Sequence, residues 1–492
     1  MRRRFLGAAV LWFLVAGQAC FGQGDGQPSA TADIISALRN QNFDQALRLS
    51  EAAVEKSPHD YRIWTLRGMA YSGERKNSQA LDSFAHALKL NPAYLPALEG
   101  SAQVEYQLGN KEAKAYLQRV LALRPDDPTS HAMLGVIAYR EKDCTNAVLH
   151  FQKAADLLPN QPAALAAYGA CLATLDKFEE ATAVLKQALT AEPGSKQVRY
   201  NLALAEWKAS HAEDALATLQ PTDGNGFEDE EFLLLAADIC ESQNDTARAI
   251  ALLRKAILAE PKKVDAYLDL AYISYEHASP QVGVDVLNAG LTQLPANAQI
   301  YLVRGVLYAQ LGKFKEATED FATANRLDPN LSFTGTAMGI VQSQEHRSAE
   351  ALDTFWAAAK AHPKDALTQY LLAEALSQQA LLAGHDAQAI AAAQLAAHLD
   401  PKMVAAHDLL ATLYLRDEHT QAAVEQCRAA LASDPNDQQA LYHLILALRK
   451  TDQKDQVPGL LKQLMQLRTV AQQQGAQQKR YKLDDVVTST SN

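Results

Sequence analysis

The feature that most constrains this chain is a lattice of prolines. Pro58, Pro92, Pro125, Pro159, Pro193, Pro261, Pro295, Pro329, Pro363, Pro401 and Pro435 follow one another at spacings of 34, 33, 34, 34, 68, 34, 34, 34, 38 and 34 residues. The wide gap is two periods, so a degenerate unit ends near Pro221. Self-similarity at such a period marks a repeat architecture, in which each unit buries its apolar face only against its neighbours. The 492 residues therefore resolve into about a dozen small units, not the three or so globular domains that length alone suggests.

Alignment on the prolines exposes three small sites per unit. Twelve residues before the proline stand Ala46, Ala80, Ala113, Ala147, Ala181, Ala249, Gly283, Ala317, Ala351, Ala389 and Ala423, and Ala215 keeps the same place on the lattice in the degenerate unit. Five before it comes alanine in most units, from Ala53 and Ala87 to Ala430, and earlier in the unit recur Gly68, Ala102, Gly135, Gly169, Ala203 and their counterparts. Two antiparallel helices approach most closely where side chains shrink to Gly or Ala, so the earliest site and the one twelve before the proline mark contacts within a hairpin, and the one five before the proline faces the next unit. Phe84, Phe151, Leu185, Phe321 and Phe355, four residues after the second-helix site, fill the space beside it. The proline ends the second helix, because it lacks an amide proton and pushes its predecessor out of the α region. Composition agrees: 48% of the chain is hydrophobic but only 7% aromatic, so alanine supplies much of the core.

Trp64, Gly68, Tyr71, Ala80, Phe84, Ala87 and Pro92 form one nearly complete signature, and Tyr301, Gly305, Tyr308, Ala317, Phe321, Ala324 and Pro329 another. Both resemble the tetratricopeptide repeat. The resemblance covers about residues 31–470, in units near 27–60, 61–94 and onward to 404–437, with a degenerate cap at 438–470. It implies an all-α fold, a right-handed superhelical solenoid of αα hairpins. Departures are local: the unit ending at Pro125 is one residue short near Gly109, and the unit ending at Pro401 carries four extra residues around Ala380 to Asp386. Thr222 to Glu231 is expected to form an acidic surface loop.

Such a scaffold binds, because stacked hairpins create an extended concave surface to which each unit contributes a few side chains. The family's inner-face positions, carried onto this sequence, select Tyr106, Tyr139, Arg140, Tyr200, Trp207, Lys208, Tyr272, Tyr275, Glu276, Tyr370 and Tyr442. Rigid amphipathic rings are favoured anchors for peptide or sugar, and the same rings also serve as packing between repeats. A chaperone-tail carboxylate clamp is not expected, since Ala166, Ala170, Gln197 and Asn201 occupy its positions and only the asparagine matches.

Little room remains for chemistry. The repeats consume nearly everything up to Gln472, so no catalytic domain and no cofactor are expected. Gly305 and Gly312 are too far apart for a phosphate-binding loop and are repeat positions. No His-Glu-x-x-His or paired Cys-x-x-Cys offers a metal site, and Phe227 and Leu234 interrupt the calcium-loop spacing that begins at Asp223 and Asn225. A net charge of −11 without a long basic patch argues against nucleic acid. Cys144 opens a second helix and Cys171 lies late in the following first helix, ends that neighbour each other in an antiparallel stack. They form a disulfide or two small buried side chains.

The ends differ from the body. Arg2, Arg3 and Arg4 precede the apolar run Phe5 to Ala16, the pattern of a signal peptide over 1–19, or extending to 22, followed by a polar linker over 20–30. An uncleaved anchor, twin-arginine export and lipidation at Cys20 are the alternatives. Residues 471–492 are expected to be a disordered tail. The resulting expectation is an exported, non-enzymatic scaffold of a bacterial periplasm or cell envelope, with protein or peptide partners. The alternative keeps the fold and takes polysaccharide, as tetratricopeptide proteins of exopolysaccharide and cellulose export do. A repeat-bearing glycosyltransferase would need a separate catalytic domain.

Overall fold

The computed structural model describes residues 30–220, 229–331, 333–383 and 386–470; the proposed signal peptide, the centre of the acidic segment and the proposed tail lie outside them. Helices alternate with short turns, and no strand occurs among the described residues. The chain divides into two compact units at Asn244 and Asp245. The first unit runs from a helix at Ala30–Arg39 to one at Glu230–Ser242, and the second from Thr246–Ala259 to a helix that begins at residue 457. Within each unit a helix packs on its successor and, at many places, on the next helix but one, which is an α-solenoid of stacked hairpins.

The proline lattice acts as expected. Ser57, Asn91, Glu192, Glu260, Asp328, His362, Asp400 and Asp434, each the residue before a lattice proline, cap second helices and send their amide to the carbonyl four residues back. The unit ending at Pro159 departs from this: its second helix, Cys144–Lys153, stops early and a short 3-10 turn, Leu158–Asn160, carries the chain to the next hairpin. In the unit ending at Pro401 the extra residues lengthen the first helix to Ala366–Ala383.

Small residues mark the contacts, and the bulky residue sits on the glycine, not merely beside the alanine. A Cβ on Gly68 would come within 2.6 Å of the Phe84 ring, and one on Gly100 within 2.5 Å of the same ring, so Phe84 is held between two first helices. Phe151 meets Gly135 and Phe355 meets Gly339 in the same way. Ala46, Ala80, Ala113, Ala147, Ala181 and Ala215 are completely buried in the first unit, as are Ala249, Ala317, Ala389 and Ala423 in the second. The third small site faces onward: Gly290 lies against Tyr267 of its own hairpin and Ile300 of the next. Large aromatic rings thus pack on backbone, which lets an aromatic-poor chain build a dense core.

One expectation needs correcting. Glu230 and Glu231 do not belong to a surface loop: they form the first turn of the helix Glu230–Ser242, and Glu230 is buried. Carboxylates are favoured there because the first turn carries the positive end of the helix dipole.

In the first unit, Cys144 and Cys171 are joined through their Sγ atoms with their Cα atoms 4.8 Å apart, a separation normal for a bridge. The link ties a second helix to the first helix of the following hairpin. In the second unit, Arg304 forks onto the buried Asp320 through Nε and Nη2 at 2.7 and 2.6 Å, and stands over the rings of Tyr301 and Tyr308.

Candidate binding face

The candidate residues lie on first helices, some early, such as Tyr200, Tyr370 and Tyr442, and others near the C-terminal end, such as Tyr106, Arg140 and Trp207. In the first unit the helix Leu95–Leu108 carries Tyr106, and Pro128–Arg140 carries Tyr139 and Arg140. The Arg140 guanidinium stands 5.5 Å from the centre of the Tyr106 ring, so two successive repeats are linked by a cation–π contact. Burial pushes the Tyr106 phenol upward, opposed by Arg140. Tyr139 is exposed beside them.

A denser cluster follows on Lys196–Lys208. Trp207 donates its indole N–H to Ser242 Oγ at 3.0 Å, and the Lys208 ammonium lies 4.5 Å from the indole centre. Tyr200, two helical turns earlier on the same face, stacks toward Phe232 of the next first helix with ring centres 6.4 Å apart. Burial raises the Tyr200 phenol, reinforced by the charges of Glu231 and Asp238. Burial also raises the Asp238 carboxyl, with Lys208 acting against it. The result is an aromatic surface with one cation and one exposed carboxylate, able to grip an amphipathic segment and to orient it by charge.

In the second unit Tyr272 and Tyr275 are exposed, 63% and 44%, and leave the helix Asp265–Glu276 without a covering layer. The Glu276 carboxylate raises the Tyr272 phenol by its charge and by accepting its hydroxyl. Tyr370 is half-buried, its phenol raised by burial and then by Glu374 and Asp408. Tyr442 is exposed, 5.7 Å from the His443 ring. The structure therefore brings together Tyr106 with Arg140, Trp207 with Lys208, and Tyr272 with Glu276, while Tyr200 packs toward Phe232 and shares with Lys208 the charge of Asp238. Among the described residues no ring contact joins Tyr370 to Tyr442.

Phe232, Asp238 and Ser242 complete the Trp207 cluster without having been expected. Asp238 and Ser242 occupy inner-face positions of their helix, but a search by side-chain size passes over them. Phe232 lies outside those positions, and only the packing reveals it. Among the described residues no group of three or more His, Cys, Asp or Glu side chains is placed to hold a metal ion.

An α-solenoid of such hairpins, with side chains presented on successive first helices, is a helical-repeat scaffold. Within that class the chain belongs to the tetratricopeptide repeat family. The family model for the cytochrome c-type biogenesis protein H TPR domain matches residues 35–165, and three tetratricopeptide repeat models match 173–239, 230–263 with 298–331, and 409–455.

Similar curated proteins include tetratricopeptide repeat protein 16 of Macaca fascicularis, 31% identical over 159 residues, which are 31% of this chain and 17% of that protein. Cytochrome c-type biogenesis protein CycH of Pseudomonas aeruginosa is 26% identical over 136 residues, 27% of this chain and 33% of that protein. The peroxisomal targeting signal receptor of Kluyveromyces lactis is 23% identical over 214 residues, 36% of this chain and 38% of that protein. The matches thus span well under half of each relative's length. Among solved structures, yeast Tom70 aligns over 92% of this chain and 96% of its own at 19% identity, with a TM-score of 0.40. YrrB, described as a TPR protein with an unusual peptide-binding site, aligns over 39% of this chain and 96% of its own at 19% identity, with a TM-score of 0.31. Tetratricopeptide arrays are protein-interaction modules, and this chain is such a scaffold.

Proposed function

We propose that the chain is an exported, non-catalytic scaffold that holds a segment of another protein against its first-helix face. The observation that carries this reading is the Trp207 cluster. Tyr200, Trp207, Lys208 and Asp238 present rings and opposite charges from two successive repeats, with the indole already oriented by Ser242. Export is supported by the basic-then-apolar pattern of residues 1–19 and by the bridge between Cys144 and Cys171, since disulfides persist in oxidising compartments. The match to the cytochrome c-type biogenesis protein H TPR domain supports a role in the biogenesis of another protein.

The test is photo-crosslinking in the producing cell from a reactive residue at position 201, beside the cluster. A protein adduct that forms in the extracytoplasmic fraction and disappears in Trp207→Ala supports the reading. A glycan adduct, or an adduct unchanged in Trp207→Ala and Tyr200→Ala, overturns it.

A further inference from the structure

One side chain closes the proline end of most hairpins. Trp64, His131, Arg199, Tyr267, Tyr301, Gln369 and His407 each stand six residues after a lattice proline. Each bonds that proline's carbonyl oxygen, at 2.8 to 3.4 Å. Where the position is Leu98 or Leu441, a second-helix or capping side chain donates instead, Arg119 to Pro92 and Gln463 to Pro435. Leu165 fills the place with a buried apolar side chain. The second helix often adds a companion: His86 stacks on Trp64 at 3.9 Å, His150 meets His131 at 2.9 Å, and Gln426 meets His407 at 2.7 Å.

The hairpin of Phe333–Gln344 and Ser348–Ala361 lacks this closure. The residue six after Pro329 is Gly335, and the companion positions hold Thr354 and Ala357. Among the described residues no side chain bonds the Pro329 carbonyl. What remains is a cavity of about 440 Å³ whose lining includes Pro329, Thr334, Gly335, Met338, Asp353 and Ala357. That volume lies in the range of small-ligand pockets. Thr334 supplies an independent sign of a missing partner. It is completely buried, and its Oγ1 has no hydrogen-bond partner, whereas Thr65 and Thr318 bond the carbonyl four residues back. Buried hydroxyls are rarely left so.

We propose that this pocket receives a tryptophan or tyrosine side chain from a partner polypeptide, which takes the place that Trp64, Tyr267 and Tyr301 fill in their own repeats. The ring lies over Gly335 and against Ala357, and its N–H or O–H donates to the Pro329 carbonyl. The chemistry is that of an aromatic donor, because every closed repeat of the chain that uses a ring here uses one with a polar hydrogen. The site is separate from the Trp207 face and stands or falls without it.

The test uses the full chain labelled at its methionine methyl groups, with Met338 as the reporter inside the pocket and Met338→Leu for assignment. N-acetyl-tryptophanamide is titrated, with N-acetyl-leucinamide as the apolar control. A saturable shift of the Met338 methyl with the tryptophan amide, several-fold larger than with the leucine amide, is expected. It should vanish in Gly335→Trp, where the chain plugs its own pocket, and persist in Trp207→Ala. Because a Cβ at 335 would approach Ala358 to 3.1 Å, Ala357→His supplies a second plug from the other helix. No saturable shift, an equal response to the leucine amide, or a shift that survives in a folded plugged variant overturns the proposal.

Discussion

The indole N–H of Trp207 donates to Ser242 Oγ at 3.0 Å, and that hydroxyl in turn donates to the Ile239 carbonyl at 2.7 Å. The ring is therefore fixed across two repeats before any ligand arrives, which lowers the ordering cost of binding. Ser242→Ala should cost about 0.5–1.5 kcal/mol, the net worth of an ordinary hydrogen bond, read from urea midpoints. Binding at this face should weaken in Ser242→Ala and be lost in Trp207→Ala. Equal affinity in wild type and Ser242→Ala would show that the orientation of the indole does not matter.

The bridge from Cys144 to Cys171 closes a 27-residue separation between one hairpin and the next. Constraining the unfolded chain in this way is worth about 2–4 kcal/mol. Protein purified from an oxidising compartment, denatured and alkylated without reductant, should leave these two cysteines unlabelled. Cys144→Ser with Cys171→Ser should then lower stability by that amount, and added reductant should lower the wild type alone. Full labelling of both cysteines would mean that the chain matures as thiols.

The fold was legible because it is written redundantly: the same proline, the same alanine and the same glycine recur until chance is excluded. The pairing of Gly68 with Phe84 could be read from spacing, since both faces of the hairpin repeat in register. The binding face was legible only in part. Trp207 and Lys208 stand out by size and charge, but Ser242 matters for one hydrogen bond that a sequence does not display. The gap at Gly335 lay hidden for the opposite reason: a glycine in a helix reads as one more small contact site. Only the seven side chains that bond their proline carbonyls show that a ring or another donor is missing there. Glu230 misled because a run of acidic residues looks like loop, while the first turn of a helix welcomes the same charge.

The turns between helices hold another unwritten rule. Gly109 and Gly312 adopt the left-handed conformation there, but so do Arg75, Lys142, Asp176 and Ala278, all at the equivalent position. The next amide reaches back five residues, as Ser279 does to the Ser274 carbonyl at 2.8 Å. A left-handed alanine costs about 1–2 kcal/mol relative to its preferred backbone, and glycine gives back part of that through unfolded-state entropy. Ala278→Gly should therefore stabilise the second unit by up to about 1 kcal/mol, visible as a higher urea midpoint with an unchanged slope. A loss of stability would mean that the Ala278 methyl group makes a packing contact worth more than the strain.

Asp408 provides the pH dependence. Its side chain is 6% exposed, and burial, followed by the charge and hydrogen bond of Asp437, pushes its carboxyl up to about 7, with His407 opposing. A carboxyl raised in the folded state holds its proton more tightly there than in the unfolded chain. Its contribution is therefore intact below the ordinary value of 3.8, is lost progressively as pH rises from there toward 7, and changes no further above it. Asp408→Asn keeps the shape and removes the charge. The variant should be more stable than wild type by about 1–3 kcal/mol at pH 8, a discounted reading of 1.4 kcal/mol per pKa unit, with the gap narrowing steadily toward pH 5. Urea midpoints of the two proteins at pH 5, 6, 7 and 8 measure it. A gap that is constant across this range would show that Asp408 is ionised throughout and that its burial is compensated by another group.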